Sequence, residues 1–429
     1  MRNFLKISTI FLIVIVGVVY YILNSPYRMH RVEQFFNPTL QQLPSLRARI
    51  ITEDNVTLAY SEYVYHLSFL GGVYNTQDFQ KILDSINTVK KIDTASAMKC
   101  YFRNTNKEYK IVLYGFDEKS VKQIETVFHQ ENIKLQYAFK LSGERRVYPY
   151  DNTLTPLLGY NKKLIDKTTN YTYLSGGQGL EKSYNDILAD TPLVKAQDIH
   201  LSIDFKKQRV LEKELDELKA LYDAKEVISV VLDTDTFYIK AFASSNRYNP
   251  KSIKREEYAN LNIHALQYLF KLDEFATLVK DILYLNAKNP KYEIYADLEL
   301  TESSKIDLPN ERVYNNNNDI NGFENFKVNL MQLLRAYSPF YSQGYIGNPK
   351  VVITQSTDKK PLISQELAQT FRKKANLFFE SMPGRRVNIE FKDVNVTAAI
   401  YMKGYQENQH NYMQVFFTID KPKKEDTSL

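Results

Sequence analysis

The sequence predicts an α+β protein that is held to a membrane by a single N-terminal transmembrane helix. Three observations lead to this fold class. An uncharged apolar run occupies residues 7–23. Strand-like and helix-like patterns alternate up to about Leu141, and a long amphipathic helix from Phe205 precedes two apolar strands. With 429 residues, the chain is long enough for two or three domains.

The apolar run Ile7–Leu23 meets the lower limit of about 17 residues for a helix that spans a bilayer. Arg2 and Lys6 precede the run, as expected for a cytoplasmic N-terminus, and Tyr20 and Tyr21 suit the opposite interface. No small residues follow at the spacing of a signal-peptidase site. We therefore expect a retained anchor, with the rest of the chain outside the cytoplasm.

Composition narrows the classes of partner and cofactor. The net charge of +6 is spread along the chain without a Lys/Arg block, so nucleic-acid binding is not predicted. Cys100 is the one cysteine, which excludes an intrachain disulfide. The 6 histidines form no i,i+4 pair and have no cysteine at ligand spacing, so we expect neither a metal nor another cofactor.

Local patterns predict individual elements of the first half. Residues 49–59 read as two strands around a turn at Asp54 and Asn55, since both residue types tolerate left-handed geometry. A strand is predicted over 110–115. Apolar residues at helical spacing predict a helix over 118–130.

The second half begins with a helix and a hairpin. Residues 205–222 place Leu211, Leu215, Leu218 and Tyr222 on one face, which is typical of an amphipathic helix. The apolar segments 227–233 and 237–243 then predict a buried hairpin.

Short stretches resemble one family in their order and spacing. In the first half, Asn55 replaces the turn glycine of that family. The resembling segments are Arg47–Ala59, Arg146–Tyr150, Leu157–Tyr160, Gly176–Leu188, Asp198–Asp204, Ile306–Glu311, Lys327–Ser338 and Gly347–Pro349.

These segments resemble the class B penicillin-binding proteins from the anchor to about Asp420. The resemblance implies an anchor over residues 1–25, an α+β pedestal (dimerisation-type) domain over 26–195, and a reduced transpeptidase-like domain over 196–429. That last domain is expected to have a mostly antiparallel sheet flanked by helices. The family's hairpin turns on Thr-Gly, whereas Phe237 follows Thr236 here, so a different turn is required.

The chemistry that the resemblance implies is missing from the sequence. Enzymes of this family attack a D-Ala-D-Ala amide with the serine of Ser-x-x-Lys. No serine lies between Ser252 and Ser303. Without a gap the nucleophile position is Lys271. In a register shifted by two it is Asp273, with Ala276 at the position of the lysine.

The other two motifs are degenerate as well. The stretch before Ile306 is too short for the helical subdomain that carries Ser-x-Asn. The Lys-Thr-Gly motif is replaced by Val394, Asn395 and Val396, although Thr397 and Ala398 persist. Chance matches occur elsewhere: Ser96–Lys99 and Ser356–Lys359 fit Ser-x-x-Lys, and Ser85–Asn87 and Ser244–Asn246 fit Ser-x-Asn.

The sequence therefore predicts a non-catalytic homologue that acts as a scaffold or regulator in bacterial peptidoglycan synthesis, in cell division or elongation. By resemblance its partners are a polytopic glycan polymerase and other division or elongation proteins. Its predicted location is the inner (cytoplasmic) membrane, with the C-terminal domains in the periplasm. Three alternatives stay open: a D,D-transpeptidase using residues outside the usual motifs, a β-lactam sensor, and a protein that binds peptidoglycan noncovalently.

Overall fold

A computed structural model describes residues 45–103, 107–130, 136–167, 170–190, 195–272, 298–300, 302–314, 326–354, 358–379, 381–391 and 394–421. Their strands form two large sheets and one small one, and helices pack against both large sheets. No helix among these residues is long and apolar enough to cross a membrane. The predicted anchor Ile7–Leu23 lies outside the described residues, and the proposed boundaries after residues 25 and 195 remain predictions.

The first sheet is built around one long central strand. Its strand order is β5-β6-β4-β2-β1-β7, and β3 also pairs with β2. The strands are β1 (Ile50–Ile51), β2 (Thr57–Leu70), β3 (Tyr109–Phe116), β4 (Tyr137–Val147), β5 (Asn161–Ile165), β6 (Thr172–Gly176) and β7 (Ile199–His200). The predicted turn at residues 54–55 is confirmed, since β1 pairs antiparallel with β2 and Asn55 has a φ of 62°.

Three helices cover the outer end of this sheet and form the head of the first domain. They are α1 (Thr76–Val89), α2 (Thr94–Phe102) and α3 (Glu118–Gln130). The predicted helix over 118–130 is confirmed, and Val121, Ile124 and Phe128 are its buried residues. The predicted strand over 110–115 lies within β3. The head has its own apolar core between these helices and the ends of β2 and β3.

Glycines in two of the resembling segments allow two backbones to touch. Gly159 follows α4 (Thr155–Leu158), and Gly179 begins α5 (Gly179–Ser183), which precedes α6 (Asn185–Leu188). Both have positive φ, 83° and 59°. A Cβ on Gly159 would lie 1.8 Å from the carbonyl oxygen of Gln178, so only glycine fits this contact.

The second sheet is antiparallel at every pairing and has the order β11-β10-β14-β15-β16-β8-β9. The mostly antiparallel sheet predicted for this domain is thus confirmed. Its strands are β8 (Glu226–Asp233), β9 (Ile239–Ser244), β10 (Leu269–Lys271), β11 (Lys327–Val328), β14 (Arg385–Phe391), β15 (Val394–Glu407) and β16 (His410–Ile419). A separate two-stranded sheet contains β12 (Tyr345–Gly347) and β13 (Lys359–Pro361).

Helices cover both faces of the second sheet, as predicted. The amphipathic helix α7 (Phe205–Leu221) packs Leu211 and Leu215 against one face, where Val227 and Val231 point. The alternate residues of β8 join the larger core on the other face, which contains α9 (Leu330–Tyr341). The other helices of this domain are α8 (His264–Gln267) and α10 (Gln365–Phe378).

The turn between β8 and β9 contains a phenylalanine with a left-handed backbone conformation. Phe237 has a φ of 61°, which costs a non-glycine residue about 1–2 kcal/mol. The Asp233 carboxylate holds the turn by accepting hydrogen bonds from the backbone N–H groups of Asp235 and Thr236. The ring of Phe237 is fully buried against the backbone of Gly347. Burial of the ring thus offsets the strain that the missing glycine leaves in the turn.

We expect Phe237→Gly to lower the free energy of unfolding by about 2 kcal/mol, although it relieves the strained φ. Truncating a buried phenylalanine costs about 3–5 kcal/mol, and the relieved strain returns about 1–2 kcal/mol. Urea denaturation of the purified chain measures the difference. Asn55→Gly is the control at another positive φ, where no buried ring is lost, and we expect a change within about 1 kcal/mol. A higher free energy of unfolding for Phe237→Gly would show that burial of the ring contributes less stability than the positive φ costs.

Candidate functional site

The structure brings the segment before the predicted nucleophile position close to the predicted third-motif positions. Asp273 and Ala276 lie outside the described residues, but Lys271 ends β10 just before them. Val394, Asn395 and Val396 begin β15. Both segments pair with the same strand, β14, from its two sides.

This pairing makes a continuous ladder across three strands. Ile389 in β14 lies opposite Phe270 on one side and opposite Val396 on the other. Glu390 likewise lies between Leu269 and Asn395. The side chains of Leu269, Phe270, Ile389 and Val396 are buried. Beside the third-motif positions, the described residues of β10, β14 and β15 thus form a continuous sheet with a buried apolar part.

The serines of the chance matches have structural partners. The Ser96 hydroxyl donates to Asp93 at the start of α2. The Ser85 hydroxyl donates to the carbonyl oxygen of Lys81 in α1. Ser356 lies outside the described residues. The chance reading of Ser96–Lys99 and Ser356–Lys359 therefore stays a prediction.

Ser244 belongs to a buried polar group that sequence reasoning missed. Its hydroxyl donates to Glu226 over 2.7 Å, and the other oxygen of Glu226 lies 2.6 Å from His264 Nδ1. His264 Nε2 faces the carbonyl oxygen of Ala259 at 3.0 Å, and the ring stacks on Tyr268. The serine thus contacts the carboxylate and not the imidazole, which differs from a nucleophile and its general base. Burial and Glu226 raise the pKa of Tyr268.

Among the described residues, Asp233, Asp235 and His410 bring possible metal ligands within 4.8 Å of one another. Both carboxylates already have partners. Asp233 accepts from the backbone of its own turn, and Asp235 accepts from the backbone and side-chain nitrogens of Asn411. The hairpin turn accounts for this arrangement.

The segments that carry the family resemblance meet in a buried ion cluster, which contains Arg47, Glu144, Arg146 and Glu181. The two oxygens of Glu181 accept from Arg47 Nε and Arg146 Nε, each over 2.8 Å. Exposure of these four residues is 3%, 8%, 7% and 0% in chain order. Two basic and two acidic side chains are therefore buried together between the segment before β1, β4 and α5.

Further hydrogen bonds from the buried ion cluster tie distant segments together. Arg47 Nη1 donates to Asn185 in α6, and Arg47 Nη2 donates to the backbone of Glu181. Arg146 Nη1 donates to the backbone oxygen of Ala48 over 2.6 Å. Glu144 accepts from the backbone N–H groups of Arg47 and Leu174.

The pKa values of the two carboxylates in the cluster are shifted in opposite directions. Burial raises the pKa of Glu181, but the guanidinium groups of Arg146 and Arg47 outweigh it and hold that pKa below its usual value. Burial raises the pKa of Glu144, and its hydrogen bonds from Arg47 and Leu174 do not compensate fully. The Arg–Glu181–Arg arrangement is thus the strongly ionised centre of the cluster.

A second resembling segment also has a structural role. Asp307 accepts from the backbone N–H groups of Val351 and Val352 over 2.7 and 2.8 Å. Its side chain also lies 3.4 Å from the hydroxyl of Tyr184, which belongs to the first half of the chain. Burial raises the pKa of Asp307 despite these contacts. Asp307 therefore connects the two halves of the molecule without occupying an open site.

Comparison with known proteins identifies the first domain. Residues 42–199 match the model of the penicillin-binding protein dimerisation domain. The chain therefore contains a penicillin-binding protein dimerisation domain. Arg47, Arg146 and Glu181 of the buried ion cluster all lie within the matched region, so the family match and the cluster concern the same part of the molecule.

Three known proteins are similar to this chain or to part of it. A segment is 27% identical over 168 residues to the peptidoglycan D,D-transpeptidase FtsI of Buchnera aphidicola, covering 36% of this chain and 29% of that relative. The structure is similar to that of penicillin-binding protein 2X from Streptococcus thermophilus, with a TM-score of 0.70, 12% identity and coverage of 89% of this chain and 77% of that one. A peptidoglycan synthetase from Bifidobacterium adolescentis gives a TM-score of 0.58 with 13% identity, covering 87% and 90%. At these identities the structural likeness concerns the fold.

We expect Arg47→Ala to lower the free energy of unfolding by about 3–5 kcal/mol, because it leaves Glu181 buried with half of its charge partners. The matched control is Arg49→Ala, two residues away, whose ion pair with Asp198 is partly exposed to solvent. Its loss should cost at most about 1 kcal/mol. Urea denaturation followed by circular dichroism measures both. Equal losses of unfolding free energy in the two variants would show that the buried ion cluster stabilises the fold no more than the Arg49 ion pair does.

Proposed function

We propose that this chain is a non-catalytic penicillin-binding protein homologue that acts as a membrane-anchored scaffold or regulator of bacterial peptidoglycan synthesis. The observation that carries the proposal is the ladder from β10 through β14 to β15. A peptide docks beside a strand by making main-chain hydrogen bonds that the strand lacks. At the third-motif positions 394–396, one side of β15 pairs with β14, and β14 is covered in turn by β10.

The missing motifs support the same function. An acylating transpeptidase needs a serine nucleophile with a nearby base. The sequence has no serine between Ser252 and Ser303, where the resemblance requires it. A β-lactam sensor needs the same acylable serine, so this loss counts against both chemical roles.

The retained parts are those suited to contacts with other proteins. The anchor over residues 7–23 would hold the chain in the inner membrane, with both domains in the periplasm. The pedestal keeps its buried ion cluster and its sheet, and it would contact a polytopic glycan polymerase or another division or elongation protein. Its head exposes two aromatic side chains of β3, Tyr109 and Tyr114, at 55% and 63%. Exposed tyrosines are suited to protein interfaces.

We expect no covalent labelling when membranes that contain this protein are treated with a fluorescent penicillin. An active class B penicillin-binding protein in the same membranes is the positive control. Gel fluorescence at the mass of this chain is the measurement. A labelled band that Ser96→Ala or Ser356→Ala abolishes would overturn the proposal and identify an acylable serine outside the expected place.

The scaffold role predicts a partner that depends on the pedestal head. We expect the doubly substituted chain with Tyr109→Ser and Tyr114→Ser to recover at least about fivefold less glycan polymerase after crosslinking and affinity purification. Tyr258→Ser, which removes a tyrosine 60% exposed in the other domain, is the matched control. Equal recovery with all three proteins would exclude the head as the contact surface, and absence of the polymerase from the unsubstituted sample would refute this partner.

A further inference from the structure

The first sheet ends at a strand whose outer side is unpaired. β5 pairs antiparallel with β6 along its whole length, from Asn161 opposite Gly176 to Ile165 opposite Thr172, and it is the last strand in the order of the sheet. Among the described residues, no strand pairs with the other side of β5. Such an edge presents a row of backbone N–H and C=O groups, to which another chain can add a strand.

Hydrogen bonds at the two ends of the β5–β6 hairpin show which backbone groups face this free edge. The N–H of Gly177 donates to the carbonyl oxygen of Tyr160 over 2.8 Å, and the N–H of Asp166 donates to that of Tyr171 over 2.9 Å. In an antiparallel pair, residues that are bonded to the partner strand alternate with residues whose N–H and C=O point away from it. Positions 160 and 166 are bonded inward, so positions 162 and 164 are as well. The residues whose backbone groups face the free edge are therefore Asn161, Lys163 and Ile165.

The side chains of β5 select the chemistry of the added strand. Lys162 and Lys163 are exposed, and neither forms an ion pair with a described residue. Leu164 and Ile165 are exposed at 40% and 63%. A segment that carries both acidic and apolar side chains is complementary to this edge. Pairing with a second copy of β5 would bring lysines together, and like charges on facing strands are destabilising.

We propose that β5 takes an extended segment of a partner protein, rich in acidic and β-branched residues, as an added strand of the first sheet. The backbone groups of Asn161, Lys163 and Ile165 make the main-chain hydrogen bonds, and carboxylates of the segment contact Lys162 and Lys163. Leu164 and Ile165 pack against its apolar side chains. This docking mode rests on the proposed scaffold role, which supplies the partner, and it uses a surface separate from the pedestal head.

The probe is a synthetic nonapeptide in which valine and glutamate alternate, with a fluorophore at its N-terminus. Fluorescence anisotropy with the full-length chain in mild detergent measures its binding, and we expect saturation with a dissociation constant below about 1 mM. The same peptide with N-methyl groups on its central residues keeps every side chain but loses the main-chain donors there. It should bind at least about tenfold more weakly. A peptide with lysine in place of glutamate should be weakened to a similar degree, because its charge repels β5.

Two substitutions at one position separate backbone pairing from charge. Lys163→Pro removes the charge and one N–H of the free edge, and proline is tolerated in an edge strand where its nitrogen faces solvent. Lys163→Gln removes the charge alone. We expect Lys163→Pro to weaken binding of the valine–glutamate peptide by at least about tenfold, and Lys163→Gln by about threefold. Thermal unfolding curves check that both variants fold like the unsubstituted chain, and the N-methylated peptide decides the matter if Lys163→Pro does not fold.

Three results would each overturn the docking edge: no saturable binding, equal binding of the plain and N-methylated peptides, or equal effects of the two variants in their folded state. The last two would show attraction between charges without an added strand. The measurement contains no glycan polymerase, so its failure is distinct from a failure of the scaffold role, which the recovery of the polymerase tests.

Discussion

The fold of the first domain depends on one carboxylate held between two guanidinium groups. Glu181 is fully buried, and its charge is tolerable only because Arg47, which precedes β1, and Arg146 in β4 both reach it. A buried ion pair contributes little net stability compared with an apolar core, but a misplaced partner is costly. The cluster therefore specifies which segments come together: the segment before β1, β4 and the short helices that lead to the second domain.

The second domain is organised by a different constraint, the completion of its sheet. β10 is short, yet it covers β14 at the positions where β15 begins on the other side. Beside the third-motif positions, β14 is therefore paired on both sides by strands of the same chain.

Local patterns in the amino-acid sequence predicted much of this fold. Helix 118–130, the amphipathic helix from Phe205, the hairpin that follows it and the turn at Asn55 are all local patterns, and the structure contains each of them. Other features depend on the tertiary structure. The left-handed Phe237 is explained by Gly347, more than a hundred residues away in sequence. Glu144 lies outside every quoted motif, and its role depends on Arg47 and Leu174.

The strand order of the second sheet bears on how this domain forms. β8 pairs along its length with β16, so residues 226–233 find their partners only at residues 412–419. Such distant pairing raises the contact order, which slows folding. It also means that the last described strand occupies the interior of the sheet and is flanked on both sides. Until that strand has emerged from the ribosome, one edge of β8 stays unpaired, and the domain depends during that interval on whatever shields this edge from other chains.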